Sequence, residues 1–311
     1  MPDSDPMVSV IIPTYHRNDL LLQAIKSVYN QSYRPIEVIV VDDSGEEHAR
    51  PTVESCEYHG LRYVPLEKNR GQNAALNRGL DEVSGRYVQF LDDDDEIIGE
   101  KFSKQVFLLE SQDEVGVVYC GLRNDNGTIH LPREAGRGDV LEQALQFNLF
   151  SCVTSTMLID IDVLSSTAPL PTPPGSTDIY MKIEFAQSTN FDFVPEPGIL
   201  KRDVSGSVSS SWGAIVGHKR IFKKYRCLYN QFPEEVQRTA LARFYNRKGS
   251  YLVGTHSWSP KASYAFAKAV YYHPQISLPY LGRLFGSIFG RPGVTVVEQL
   301  MAKIGCIRCS E

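Results

Sequence analysis

The feature that most narrows the possible folds is an apolar run that ends in a block of charge. Arg86 to Leu91 reads as a strand, and the next four residues are Asp92, Asp93, Asp94 and Asp95. Four adjacent carboxylates at a strand end repel one another unless something positive binds among them. Two other runs, Val8 to Ile12 and Ile36 to Val41, are rich in β-branched residues and almost free of polar ones. Such runs suit strands buried on both faces, the environment of a parallel sheet flanked by helices. Pro13 closes the first run, and Asn18 or Asp19 is placed to cap a helix carrying Leu21, Leu22, Ile25 and Val28 at helical spacing. The second run ends in Asp42-Asp43-Ser44-Gly45. A strand–helix–strand unit of this kind binds ligands beyond the carboxyl ends of its strands, so a site is expected there.

Further elements follow the same alternation. A short strand is expected at Leu61 to Val64, followed by Asn69-Arg70-Gly71-Gln72-Asn73 opening a small-residue helix through Leu80. Lys101 to Ser111 reads as helix, Val115 to Cys120 as strand, and Asp125-Asn126-Gly127 as a hairpin turn. A Pro-rich loop from Pro169 to Gly175 precedes a helix from about Thr177 to Gln187. Phe191 to Val194 and Gly198 to Lys201 read as two terminal strands. Beyond the Ser/Gly-rich stretch Ser205 to Gly213 the pattern becomes helical, with aromatics among Lys and Arg, so a domain boundary is expected near 205–215.

Composition excludes several classes. Charged residues make up 22% and hydrophobic ones 42%, which argues against disorder, and a net charge of −5 argues against nucleic acid as partner. The acidic, Pro-containing start at Met1 to Met7 lacks the basic and apolar regions of a secretory signal. The most apolar stretch, Ile276 to Phe289, is interrupted by Pro279, Gly282, Arg283 and Gly286 and is too short to span a bilayer. The six cysteines are scattered, and only Cys306 and Cys309 stand at metal or redox spacing, with no second pair nearby. A cytoplasmic protein is the resulting expectation.

The acidic run suits a hard divalent cation, Mg²⁺ or Mn²⁺, bridging carboxylate oxygens to substrate phosphates. Its plain alternative is a set of surface acids capping a strand end. Asp42 and Asp43 could accept hydrogen bonds from a nucleobase or ribose, or could merely close an Asx turn. Tyr15 could stack on a base or pack against a helix.

Together these residues resemble family 2 glycosyltransferases, inverting nucleotide-sugar enzymes of the GT-A fold. The resemblance rests on Val8-Ser-Val-Ile-Ile-Pro-Thr-Tyr15, Ile39-Val-Val-Asp-Asp-Ser44, Asn69-Arg-Gly-Gln-Asn-Ala-Ala75 and Gly85-Arg-Tyr-Val-Gln-Phe-Leu-Asp-Asp-Asp-Asp95. It implies an α/β GT-A fold with a Rossmann-like mixed sheet and a mainly helical C-terminal extension. The catalytic domain would span 1–210, with a nucleotide-sugar half at 7–120 and an acceptor half at 121–210, and the helical region 211–311. It also implies that Pro13 and Tyr15 border the nucleobase, that Asp42 bonds its ring, and that Gln72, Asp92 and Asp93 face the nucleotide sugar. Asp94, with Asp92, would ligate Mg²⁺ or Mn²⁺, and Asp178, at a helix start, would be the general base. The chain departs from the family pattern at three places: Gln72 where a cation is common, Thr177 where a Glu often precedes the base, and Asp203 where a His often stands.

The implied partners are a nucleotide-sugar donor, UDP-linked by default, and a glycan or polyprenyl-linked acceptor, in surface polysaccharide or glycoprotein assembly. Two rival readings remain. A nucleotidyltransferase would need a Gly-rich phosphate loop after the first strand, and Pro13-Thr-Tyr-His-Arg17 has no glycine. A GT-A-fold protein that binds sugars without turnover is the other. The C-terminal helices read as a cap on the catalytic domain or as a peripheral membrane contact, the latter through Tyr280 to Phe289 beside Arg283 and near Arg291.

Overall fold

The computed structural model describes residues 5–172, 175–202, 211–273, 275 and 277–303. Asp203, residues 205–210 of the Ser/Gly-rich stretch and the Cys306–Cys309 pair lie outside them. The apolar runs form β1 (Val8–Thr14) and β2 (Ile36–Asp42), every residue of which is buried. They pair in parallel from Val8↔Ile36 to Thr14↔Asp42. β3 (Leu61–Pro65) continues the parallel set beyond β2, and β4 (Tyr87–Phe90) joins the other side of β1. The ladder between β1 and β4 ends at Ile11↔Phe90. Pro13 therefore lies beyond it, where the missing N–H costs no sheet hydrogen bond.

Past β4 the sheet becomes mixed. β5 (Asp95–Ile97), β6 (Val115–Asn124), β7 (Ile129–His130), β8 (Leu158–Asp160) and β9 (Asn190–Lys201) complete the order β3-β2-β1-β4-β8-β6-β9-β5, with β7 paired to β6. The two expected terminal strands are one, β9, irregular opposite Cys120 to Leu122 where Pro195 and Pro197 break its ladder. β5 has no apolar pattern of its own. It is a strand because Asp95, Glu96 and Ile97 pair antiparallel with Lys201, Leu200 and Ile199.

The helices before residue 203 are α1 (Asn18–Tyr29), α2 (Arg50–Glu54), α3 (Gln72–Leu80), α4 (Lys101–Ser111), α5 (Leu141–Leu145), α6 (Ile161–Thr167) and α7 (Thr177–Phe185). Asn18 and Asp19 lie inside α1 rather than capping it. Arg17 precedes the helix, and no side chain caps it. Asn18 Nδ2 instead donates to His48 O at 3.1 Å. α3 lies close to the sheet: a Cβ on Gly79 would fall 2.5 Å from Ile11 Cγ2. Gly71, at φ 85°, turns the chain into α3 in a conformation few other residues adopt. Lys101, at the start of α4, is buried, and its ammonium donates to Gln89 Oε1.

The chain divides into two compact units, residues 1–141 with 149–205, and residues 142–148 with 206–311. The second holds α8 (Trp212–Lys224), α9 (Arg226–Tyr229), α10 (Glu234–Thr255), α11 (Pro260–Tyr272), α12 (Leu278–Ile288) and α13 (Gly290–Lys303). Its helices meet through small residues. Gly249 admits the ring of Phe266, which a Cβ there would approach to 2.7 Å, and Ala262, Ala265 and Ala269 are fully covered. Among the described residues no helix is long and apolar enough to cross a membrane.

Candidate active site

Because β2, β1 and β4 run parallel, their carboxyl ends share one edge of the sheet, and the expected residues collect there. Backbone bonds set the heights: Asp43 N donates to Thr14 O at 2.9 Å and Leu91 N to Ile11 O at 3.0 Å. The four aspartates that follow have different surroundings. Asp92, Asp94 and Asp95 each bring one carboxylate oxygen to within 4.8 Å of the others. Asp93 turns away: Thr14 Oγ1 donates to its Oδ2 at 2.8 Å and Arg17 to its Oδ1 at 3.1 Å. The expectation that Asp93 faces the nucleotide sugar meets a side chain 5% exposed and tied to the end of β1. The same Arg17 guanidinium donates to Asp94 Oδ2 at 2.8 Å.

Burial governs the electrostatics of this cluster. It raises the Asp92 pKa, opposed by Lys201 and assisted by Asp94. It pushes Asp93 up to about 6, against the hydrogen bond from Thr14. It pushes Asp95 up to about 7, with Lys201 opposing and Asp92 adding repulsion. Lys201 Nζ lies 3.5 Å from Asp95 Oδ2, while Asp95 Oδ1 is buried without a hydrogen-bond partner among the described residues. An all-carboxylate set with an unmatched buried oxygen fits a hard divalent cation, which would favour the charged form of all three acids. The fitting trio includes Asp95 beside the expected Asp92 and Asp94.

On the opposite side, Asp42 is engaged by the protein itself. Its Oδ1 accepts from Ser44 N at 2.9 Å, and its Oδ2 from Ala49 N at 2.7 Å and Tyr63 Oη at 2.8 Å. These bonds outweigh burial and hold its pKa below the usual carboxylate value. The carboxylate expected to bond a base ring also shapes the β2–α2 loop. Its neighbour Asp43 accepts from Arg70 N at 2.7 Å and Gly71 N at 2.8 Å, fixing the loop that enters α3. Pro13 is buried within β1. Tyr15 is 50% exposed and meets His16 edge-on, with His16 in turn against His48, so aromatic surface is displayed beyond the β1 end.

α3 links the acids to Asp178. Gln72 Nε2 donates to Asp92 Oδ1 at 2.7 Å. The next residue, Asn73, is fully buried. It accepts from Thr177 Oγ1 at 3.0 Å and donates to Pro171 O at 2.7 Å. One turn on, Asn77 bonds both the N–H and the carbonyl of Leu170. The loop before α7 and the first residue of α7 are thus held by the helix whose start touches Asp92. Asp178, second in α7, has Lys182 Nζ 3.1 Å from its Oδ2, and the same ammonium donates to Cys152 O at 2.8 Å. Sequence reasoning took Asp95 only as part of the acidic run and did not single out Arg17, Thr14, Lys201 and Asn73. Arg17, Thr14 and Asn73 stood within quoted motifs, but only strand pairing brings Lys201 to Asp95.

The chain belongs to glycosyl transferase family 2, whose family model matches residues 9–166. Over 96 residues it is 40% identical to a GalNAc(5)-diNAcBac-PP-undecaprenol β-1,3-glucosyltransferase of Campylobacter jejuni, a stretch covering 30% of this chain and 31% of that one. Over 162 residues it is 33% identical to a Bacillus subtilis protein described as a teichuronic acid biosynthesis glycosyltransferase, TuaG, covering 50% and 63% respectively. The matched stretches thus span between about a third and just under two thirds of these relatives. Among solved structures, S. aureus TarS residues 1–349 with UDP-GlcNAc superposes with a TM-score of 0.65 at 16% identity, over 96% of this chain and 92% of that one. A Pyrobaculum calidifontis mannosyltransferase, PcManGT, with GDP-Man and Mn²⁺ superposes at 0.60 and 21% identity, over 98% and 87%. The mixed sheet with a helical C-terminal region is the GT-A architecture expected from the sequence.

Proposed function

We propose that the chain transfers a sugar from a nucleotide-sugar donor to a glycan or polyprenyl-linked acceptor, with inversion at the anomeric carbon. The observation that carries this reading is the convergence of Asp92, Asp94 and Asp95 at the sheet's carboxyl edge, with Asp95 Oδ1 buried and unmatched among the described residues. These three acids would hold Mg²⁺ or Mn²⁺, which supplies positive charge against the departing diphosphate. Residues 7–120 form the donor half and 121–210 the acceptor half. Thr14 and Arg17 hold Asp93 and the β1 end in place, and Tyr15 offers a face on which a base can stack. Asp178 takes the proton of the acceptor hydroxyl, whose oxygen attacks the anomeric carbon as the bond to the diphosphate oxygen breaks on the opposite side. Lys182 Nζ, 3.1 Å from Asp178 Oδ2, helps to orient that carboxylate. The named activities of the Campylobacter and Bacillus relatives favour an undecaprenyl-linked or cell-surface glycan as acceptor. UDP-sugars are the default donors, with GDP- and dTDP-sugars next.

One observation favours the non-catalytic reading: Arg17 already sets a cation against Asp93 and Asp94. A panel of nucleotide sugars with Mn²⁺ or Mg²⁺, followed by thermal melting and nucleoside diphosphate release, separates the two. Transfer requires metal-dependent release, and Asp178→Asn then lowers kcat by about 10²–10⁴-fold with donor affinity unchanged. Binding without release refutes catalysis. A kcat within threefold of the parent removes Asp178 from the role.

A further inference from the structure

The chain's charge is divided unevenly. Residues 211–311 carry fifteen Lys and Arg against four Asp and Glu, whereas the first 210 carry seventeen against thirty-three. The overall −5 therefore conceals a C-terminal region with a net charge of +11. Positive charge alone names no partner. The apolar side chains set among it are more specific.

Helix α12 is turned inside out. It buries Tyr280, Arg283, Gly286 and Ser287, and presents Leu278, Phe285 and Ile288 to solvent, followed by Phe289, which is 76% exposed. Arg283, expected from the sequence to be the cationic member of a surface helix, is 7% exposed. It donates to Glu298 Oε1 at 3.1 Å and Asn246 Oδ1 at 3.2 Å. Leu278, Phe285 and Ile288 fall seven and three positions apart and so occupy one face, which Phe289 extends just past the helix end. A helix that needed only to cover a core in water would have the opposite polarity.

A second loop adjoins this face. Trp258, 61% exposed between α10 and α11, donates its Nε1–H to Ile288 O at 3.0 Å. Arg291 N donates to Ser257 O at 2.8 Å, and Gly290, at φ 70°, lets the two loops touch where a Cβ would collide with Ser257 O. Trp258, Ile288 and Phe289 therefore form one fixed prominence. Exposed Arg291 flanks it, and exposed Lys261 opens α11 three residues after Trp258. Lys248 lies near enough to Lys219 and Lys261 that their charges, after burial, lower its pKa.

We propose that Phe285, Ile288, Phe289 and Trp258, with Lys261 and Arg291 at their margin, form a docking face for an anionic phospholipid bilayer. The rings and the aliphatic side chain enter the boundary between headgroups and acyl chains, while the cations pair with lipid phosphates. Charge selects this occupant. A second copy docked through the same patch would set two strongly basic surfaces against each other, and a nucleic acid would leave Ile288 and Leu278 without an apolar partner. The inference rests on charge and exposure. The polyprenyl-linked acceptor proposed above would give the face a purpose, but its failure leaves the physical argument intact.

The test uses the full chain and sedimentation with phosphatidylcholine vesicles, with and without about 30% phosphatidylglycerol. Binding to the anionic vesicles is expected, weakened by 0.5 M salt and accompanied by a blue shift of tryptophan emission. Phe285→Ser with Phe289→Ser changes only exposed positions and should leave the melting temperature unaltered while lowering partitioning at least tenfold. Lys261→Glu with Arg291→Glu should act similarly through charge. The proposal is overturned by anionic vesicles binding no better than neutral ones, or by folded variants that bind like the parent. It is equally overturned by a dimer that the Phe variants dissolve, or by capture of an oligonucleotide in place of vesicles. A donor-induced melting shift, recorded in parallel, reports on the sheet-edge site independently.

Discussion

Replacing Thr177 by Val tests whether α3 positions the proposed base. The two side chains are nearly isosteric, so the change removes one hydrogen bond and little volume. Thr177 Oγ1 donates at 3.0 Å to Asn73 Oδ1, and Asn73 is fully buried, so no water replaces the lost donor. An unmatched buried acceptor costs about 1–3 kcal/mol. For a domain of this size that corresponds to a fall in melting temperature of about 3–9 °C. The functional effect should be selective. Asn73 still holds Pro171 O, and Gln72 still holds Asp92, so the acid cluster stays in place. The first turn of α7 loses its tether, and Asp178 with it. Misplacing a catalytic group by about 1 Å can cost up to about 10² in rate. Acceptor-dependent kcat should therefore fall between about fivefold and a hundredfold. Donor affinity, by calorimetry with metal present, should remain within a factor of two. The reasoning is refuted if the variant melts lower yet turns over at the parental rate, since α7 would then be positioned without Asn73. A fall in donor affinity matching the fall in kcat would refute it differently, by placing Thr177 on the donor side.

Three further outcomes are expected. Asp94→Ala should abolish both turnover and the rise in melting temperature that Mn²⁺ produces, while the metal-free protein still folds; full activity in this variant would remove Asp94 from the metal set. Asp42→Ala should cost stability more than nucleotide affinity, because its carboxylate holds Ser44, Ala49 and Tyr63, and a nucleotide titration showing the reverse would restore it as a base contact. Burial lowers the Lys101 pKa to about 8, so below that pH the folded state carries a penalty that disappears as pH rises toward 10.5, where the unfolded state also loses the proton. Relative to Lys101→Met, the parent should therefore gain about 2 kcal/mol between pH 7.5 and 9.5, and parallel denaturation curves across that range would disprove the burial of a charged ammonium.

Much of the parallel part of the sheet was legible because its signals are local. β1 and β2 are apolar at nearly every position, which is possible only for strands covered on both faces, and the charged residues after them could lie only at the exposed edge. The order of motifs carried the family for the same reason. The division of labour among the four aspartates was not legible. Identical side chains in sequence are separated by a backbone turn that sends Asp93 to Thr14 and Arg17, and gathers Asp92, Asp94 and Asp95. The loop-closing bonds of Asp42 were not legible either, because an acid at a strand end has the same appearance in sequence whatever it bonds.

What the sequence by itself determined was the repeating layout of buried strand, helix and polar strand end, since hydrophobic periodicity is a property of neighbouring residues. Pairings between distant segments were decided by the tertiary structure. β5 exists only because β9 accepts it, and that pairing sets Lys201 beside Asp95, 106 residues away. The contact from Asn73 to Thr177 closes over 104 residues. The outward face of α12 belongs to the same class: its composition permits either orientation, and the half-exposed Glu298 and buried Asn246 turn Arg283 inward and leave Phe285 and Ile288 facing solvent. Such contacts depend on which polar groups find each other once the chain has closed, and no local pattern encodes that choice.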